Sequence, residues 1–103
     1  MLGNMQRLLV GDALSADSRQ RLAGWLLASR TGAKRLRAGL PSDWRVGDKT
    51  GTGGNGAAND IAVAWPPGRA PVVVVIYFTG STIVGEARDA VIADAGRIAV
   101  ASL

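Results

Sequence analysis

A chain of 103 residues, 48% of them hydrophobic, suits one small packed domain and is too apolar for a disordered one. It has neither cysteine nor histidine, which excludes a disulfide scaffold, a His/Cys metal centre and a Ser-His-Asp triad. The net charge of +4 requires a nucleic-acid partner to be weighed, and the lack of cysteine fits reducing and oxidising compartments alike.

Met1, Leu2, Met5, Leu8 and Leu9 recur at helical spacing and predict a first helix that stops near Gly11. An uncapped helix at residue 1 suggests upstream sequence. Met1 to Val10 lacks the basic segment, sustained apolar run and cleavage site of a secretory signal. Ser15 or Asp17 can cap a second helix by accepting from its free amides, and Gly32 stops it. Its inward stripe reads Leu22, Trp25, Leu26 and Ala28 or Ser29, with Trp25 assigned to the core. Leu40 to Asp43 is a turn. Arg45 to Thr52 is a first strand, Gly53 to Gly56 a turn, and Asp60 to Trp65 a second strand. Pro66 to Arg69 turns the chain into a third strand from Pro71 to Thr79. Its run Val72 to Ile76 has no polar alternation, so it should be covered on both faces. The run Val72 to Phe78 is far too short to span a bilayer. Short turns make the three strands antiparallel, since a parallel pair needs a longer crossover. A final helix follows from Glu86 to about Ala101, with Ala87, Val91, Ala95 and Ile98 on one face and Glu86 favoured by the helix dipole.

The fold class is therefore α+β: a three-strand antiparallel meander flanked by helices, with residues 1–103 forming a single partial domain. So few helices can hardly bury both faces of a sheet, and a further partner surface is expected. The isolated chain should be marginally stable or aggregate through an unpaired strand edge.

The chemistry concentrates in Gly47-Asp48-Lys49-Thr50-Gly51-Thr52-Gly53-Gly54. A cation, two hydroxyls and several glycines within a few residues suit an anionic ligand held close to a strand. Gly51 to Gly56 satisfies G-x-G-x-x-G, but a strand follows where a dinucleotide site needs a helix N-terminus. A phosphate-binding loop fails too, because Asp48 precedes the lysine where glycine is required. Basic residues gather at Arg30, Lys34, Arg35, Arg37 and Arg45. With little aromatic interleaving beyond Trp44 and no nucleic-acid motif, they read as a solvated helix end and loop, or as attraction for a small anion near Lys49.

Lys-Thr-Gly is a motif of class A β-lactamases and penicillin-binding proteins. Its surroundings are Arg35-Leu36-Arg37-Ala38-Gly39-Leu40-Pro41, Trp44, Asn59-Asp60-Ile61-Ala62-Val63 and Trp65-Pro66-Pro67. With these, nearly the whole chain resembles the C-terminal part of class A serine β-lactamases, an α/β sandwich. The penicillin-binding D,D-peptidases share Lys-Thr-Gly but usually not this context. The resemblance implies hydrolysis of the β-lactam cyclic amide, and hence antibiotic resistance. It implies that Lys49 supplies positive field for the substrate carboxylate and the proton network, and that Thr50 donates its hydroxyl to that carboxylate. Gly51 lets the ligand lie close. The Thr52 backbone N–H is an oxyanion donor, with its hydroxyl beside the ligand. Where some members carry an arginine, this chain has Ala58; Arg35 matches the alternative arginine that steadies the carboxylate.

The resemblance also shows what is missing. No serine has a lysine three residues later, Ser42-Asp43-Trp44 only echoes Ser-Asp-Asn, and the sole glutamate, Glu86, lies in the last helix. The chain is expected to be a C-terminal fragment, or a product begun at an internal methionine, and to be catalytically incomplete alone. No cofactor or metal is implied. The expected partners are a β-lactam in the complete enzyme and the missing N-terminal portion, with no nucleic acid and no membrane. The complete enzyme is expected in the periplasm or secreted; with no signal peptide read in this chain its own location is left open, cytoplasmic if translated as given.

Overall fold

A computed structural model describes all residues, 1–103. The elements in chain order are α1 (Leu2–Leu9), α2 (Ala16–Leu27), α3 (Leu36–Gly39), β1 (Arg45–Thr52), β2 (Ala58–Trp65), β3 (Val72–Phe78) and α4 (Gly85–Val100). The strands form one antiparallel sheet in the order β1-β2-β3. The α+β meander read from the sequence is thus observed, with β2 beginning at Ala58, two residues earlier than expected. Ser15 caps α2 by accepting from the Ser18 amide at 3.2 Å. The four-residue α3 was not foreseen, because a segment that short has no periodicity to detect.

The pleat divides the sheet into two faces. Val46, Ala58, Ala62, Ala64, Val72, Val74, Ile76 and Phe78 pack with Leu36, Leu40, Ile92 and Val100 of the α3/α4 layer. Ile61, Val63, Val73 and Val75 pack with Met5, Leu9, Leu22 and Leu26 of the α1/α2 layer. Helices therefore reach both faces, more than their number suggested. The cover is heaviest over central β2, where five of eight residues are buried, and thins at β3, where only Val74 is. No helix is long and apolar enough to cross a membrane.

Two sequence expectations are overturned by burial. Trp25 is 67% exposed, because α2 turns Leu26 inward and leaves its neighbour outside. On α4 the buried residues are Ile92, Ala93, Gly96 and Val100, whereas Val91 is 40% and Ile98 75% exposed. The helix carries apolar residues on more than one side, so periodicity alone does not say which side meets the sheet.

Backbone contacts fix two junctions. A Cβ on Gly39 would lie 1.9 Å from the Ala93 carbonyl oxygen, so glycine permits α3 to touch α4 backbone to backbone. In the β1–β2 turn, Gly56 has φ +70° and a Cβ there would lie 2.5 Å from the Ser81 carbonyl oxygen. The Asn55 carbonyl accepts from the Gly80 amide at 2.9 Å, seating this turn on the β3–α4 loop.

Gly39→Ala should force α3 away from α4 and cost about 1–3 kcal/mol, the range for overpacking a close-packed contact. Thermal denaturation followed by circular dichroism should show a clearly lower Tm than that of the parent chain.

Candidate active-site wall

Lys49 to Thr52 occupy the end of β1, whose free edge is also an edge of the sheet. Alternation sends Lys49 to the α1/α2 face beside Ile61 and Val75, and sends Thr50 and Thr52 to the other face beside Asp60 and Ala58. Lys49 and Thr52 are exposed, and Thr50 and Gly51 half-buried. The Lys49 ammonium donates to the Thr50 carbonyl at 2.9 Å and so lies along the strand edge. Beside it a groove of about 570 Å³ runs between β1 and the α1/α2 layer, lined by Leu8, Leu22, Trp25 and Ile61. The Thr50 hydroxyl is 2.6 Å from that of Thr31, a residue to which sequence reasoning gave no role.

Arg35 lies under this edge and is only 6% exposed. Its Nε donates to Asp89 Oδ1 at 2.8 Å, and its Nη1 to the carbonyls of Gly51 at 3.0 Å and Asn59 at 2.8 Å. Its Nη2 donates to Thr52 Oγ1 at 2.8 Å. Four of the five guanidinium N–H groups are thereby committed within the protein. The Thr52 oxygen accepts from Arg35, so its own proton is directed away from the guanidinium. The hydroxyl is then available as a donor at the exposed edge. Asp89, on α4, joins the constellation only through the fold; neither motif nor spacing linked it to Arg35.

Beneath β1 is a buried ionic layer. Asp48 and Asp60 are both 0% exposed and share the α3/α4 face as diagonal neighbours. Asp60 Oδ2 accepts from the Leu36 amide at 3.0 Å, which secures the start of α3. Asp48 Oδ1 lies 2.6 Å from Arg37 Nε as an ion pair, without the alignment of a hydrogen bond. Arg37 Nη2 donates to the carbonyls of Leu26 and Leu27 at the end of α2. Both Asp48 oxygens and Asp60 Oδ1 lack a donor when the two carboxyls are ionised. A proton on Asp60, shared with Asp48, supplies one. Desolvation first, and then the neighbouring Asp48 charge, push Asp60 up to about 7.

Other members of the basic cluster are also engaged. Lys34 pairs with Glu86, which raises the lysine and lowers the glutamate relative to their usual values. Arg45 lies over the Trp65 ring, 5.2 Å from its centroid. No cluster of three or more His, Cys, Asp or Glu residues could hold a metal ion.

The strand edge thus carries Lys-Thr-Gly-Thr over a buried arginine. The profile described as "Beta-lactamase enzyme family" matches residues 1–103. The chain belongs to that family. It is 50% identical over 103 residues to β-lactamase AST-1 of Nocardia asteroides, covering all of this chain and 33% of the relative. It is 48% identical over 101 residues to the carbapenem-hydrolysing β-lactamase KPC of Klebsiella oxytoca, covering 97% of this chain and 34% of the relative. An ancestral (GNCA) class A β-lactamase superposes with a TM-score of 0.96 at 63% identity, over all of this chain and 40% of that one. The chain thus spans about a third of the length of the curated relatives it matches.

Two predictions arise from the charges. Unfolded Asp60 should ionise near pH 4, and native Asp60 near 7. Between those values the native chain retains a proton that the unfolded chain loses. This group's stabilisation is therefore full below about pH 4 and is lost as pH rises through about 7. Asp60→Asn retains an acceptor for Leu36 and a donor for Asp48 without titrating. Urea midpoints at pH 5 and pH 8 should differ less in the variant than in the parent, with the variant gaining at pH 8. Arg35→Ala should cost about 3 kcal/mol, because Asp89 and two strand carbonyls lose their common partner. The urea unfolding midpoint of the purified variant checks it.

Proposed function

We propose that this chain forms the carboxylate-binding and half-oxyanion wall of a class A serine β-lactamase, an enzyme that opens the cyclic amide of penicillin-like antibiotics through an acyl-serine. The observation that carries the reading is the exposed β1 edge, Lys49 to Thr52, with Arg35 bonded to Thr52 beneath it. The substrate carboxylate lies along this edge, within the field of Lys49 and accepting from the Thr50 and Thr52 hydroxyls. Gly51 leaves room for close approach. The Thr52 backbone N–H faces the carbonyl oxygen that becomes an oxyanion. Arg35 steadies the carboxylate by aiming the Thr52 hydroxyl and adding a nearby positive charge.

The chain by itself has no Ser-x-x-Lys nucleophile and no general base at this edge. An oxyanion donor lowers a barrier by about 3 kcal/mol, but it acts on an intermediate that a nucleophile must first create. Alone, the chain is therefore catalytically incomplete. Its working partners are a β-lactam and the remaining portion of the enzyme, placed in the periplasm or outside the cell. A nucleic-acid partner is disfavoured because Lys34, Arg35 and Arg37 are drawn into internal ion pairs. A D,D-peptidase is disfavoured by the names of the relatives, which are β-lactamases.

Purified chain incubated with a chromogenic cephalosporin should show no enzymatic turnover; burst kinetics titratable by an acylating inhibitor would overturn the assignment of incompleteness. In a complete enzyme carrying these residues, Lys49→Ala should lower kcat and raise KM, reducing kcat/KM by roughly a hundredfold or more. Arg35→Ala in a folded enzyme should act mainly on KM. Steady-state kinetics separate the two, and an unchanged KM in both would remove the carboxylate-binding role from this edge.

A further inference from the structure

Taking β1 as the carboxylate-binding edge proposed above, we infer that Thr31 is a positioning residue for substrate binding: its hydroxyl donates to Thr50 and so turns the Thr50 proton outward, toward the substrate carboxylate. The two hydroxyl oxygens lie 2.6 Å apart, within the range of an O–H···O hydrogen bond. Each hydroxyl has one proton to donate and two lone pairs to accept with. One proton therefore lies between the two oxygens, and the other is free to point elsewhere. When Thr50 donates to Thr31, no Thr50 proton remains for a ligand. When Thr31 donates to Thr50, the Thr50 proton is released to the edge. An ionised carboxylate only accepts, so its arrival selects the second arrangement. The series from Thr31 through Thr50 to the carboxylate then runs in one direction, and each bond strengthens the next by roughly 10–30%.

The fold holds Thr31 in place for this task. Thr31 lies in the turn between α2 and α3, and that turn is seated on β1 by contacts that do not involve its hydroxyl. Next to it, Gly32 comes so close to the buried Asp48 that a Cβ there would fall 1.7 Å from Asp48 Oδ2. Arg37 pairs with the same Asp48 and donates to the carbonyls of Leu26 and Leu27, which ties the end of α2 to β1. Asp48 and Thr50 alternate with Lys49 along the strand and therefore share a face. A segment held against Asp48 is thereby held beside Thr50. The branched Cβ of threonine also restricts its rotamers and keeps the oxygen where it is.

Thr52, the next hydroxyl on that face, provides the contrast. Its partner is Arg35 Nη2 at 2.8 Å, and a guanidinium has no lone pair to accept with. The Thr52 oxygen must accept, so its polarity is fixed whether or not a ligand is bound. Thr31 can both donate and accept, so the polarity of Thr50 is set by what lies at the edge. The two hydroxyls thus offer the same anion one permanent donor and one donor that the anion itself selects.

Steady-state kinetics on a cephalosporin with a free carboxylate test this in a complete enzyme carrying these residues. Thr31→Val keeps the shape and removes the hydroxyl. It should raise KM roughly three- to tenfold, the loss of one uncharged hydrogen bond, with kcat little changed. Thr31→Ser retains a hydroxyl and should restore most of the parent KM. Thr50→Val should raise KM by itself, and Thr31→Val should add nothing to it, because the proton that Thr31 directs is gone. A merely structural Thr31 would cost as much in either background. Thr31 is exposed, so both variants should fold; should Thr31→Val fail to, Thr31→Ala takes its place in the same cycle. An unchanged KM on removing the Thr31 hydroxyl, or equal effects in the two backgrounds, while Thr50→Val still raises KM, would overturn the role of Thr31 and leave the carboxylate edge standing. A parent without turnover, or an unchanged KM in Thr50→Val, would instead remove Thr50 from substrate binding, and Thr31 with it.

Discussion

The β1 edge depends on a pair of carboxylic acids placed where none would be expected. Asp48 and Asp60 enter the helix-covered face of the sheet and are completely buried. Isolated carboxylates in such a place would be prohibitive, so the surroundings must compensate. Arg37 provides the facing charge, the Leu36 amide provides a hydrogen bond, and a retained proton reduces two negative charges toward one. These compensations come from the α2–α3 region, so the acids anchor that segment to the sheet. The four-residue α3 is too short to be stable through its own hydrogen bonds. It is held by Asp60 at its start, by Leu36 in the core and by the close approach of Gly39 to α4.

The strand β1 thereby serves two purposes. Its Asp48 ties one side down, and the next residue, Lys49, emerges on the opposite side as an exposed cation. Alternation makes this possible: successive residues can belong to a buried ionic layer and to a solvent-facing edge. Arg35 bridges the two regions. It reaches Asp89 on α4, the carbonyls of both β1 and β2, and finally the Thr52 hydroxyl. The orientation of a candidate ligand donor is consequently set by a helix that follows it in the chain by more than thirty residues.

Electrostatics at the edge also have a cost in stability. Arg35 is desolvated, so truncating it takes the partner from Asp89 and two strand carbonyls and lowers stability. A loss of affinity in a variant must be compared with its unfolding midpoint. Lys49 and Thr52, both exposed, allow a cleaner reading, because their side chains can be changed without leaving a buried partner unpaired.

Several features were legible from the residues alone. Glycine and proline punctuation located the meander, and β1 came out with its observed bounds. Ser15 was recognised as a cap because its hydroxyl precedes a helical run. Lys49, Thr50, Gly51 and Thr52 were read onto one strand, where the structure has them, because they are neighbours in sequence. Tertiary structure decided what depends on distance through space. It paired Arg35 with Asp89, brought Thr31 to Thr50 and placed Asp48 beside Asp60. It also turned Trp25 and Ile98 outward, although their spacing suited an inward stripe. Periodicity identifies a helix that has apolar positions, but the sheet selects which of them it buries. Local propensity and short-range motifs are properties of neighbouring residues, so one sequence determined them. Burial, shared protons and long-range ion pairs arise only when distant segments displace the same water, and that is decided by the fold.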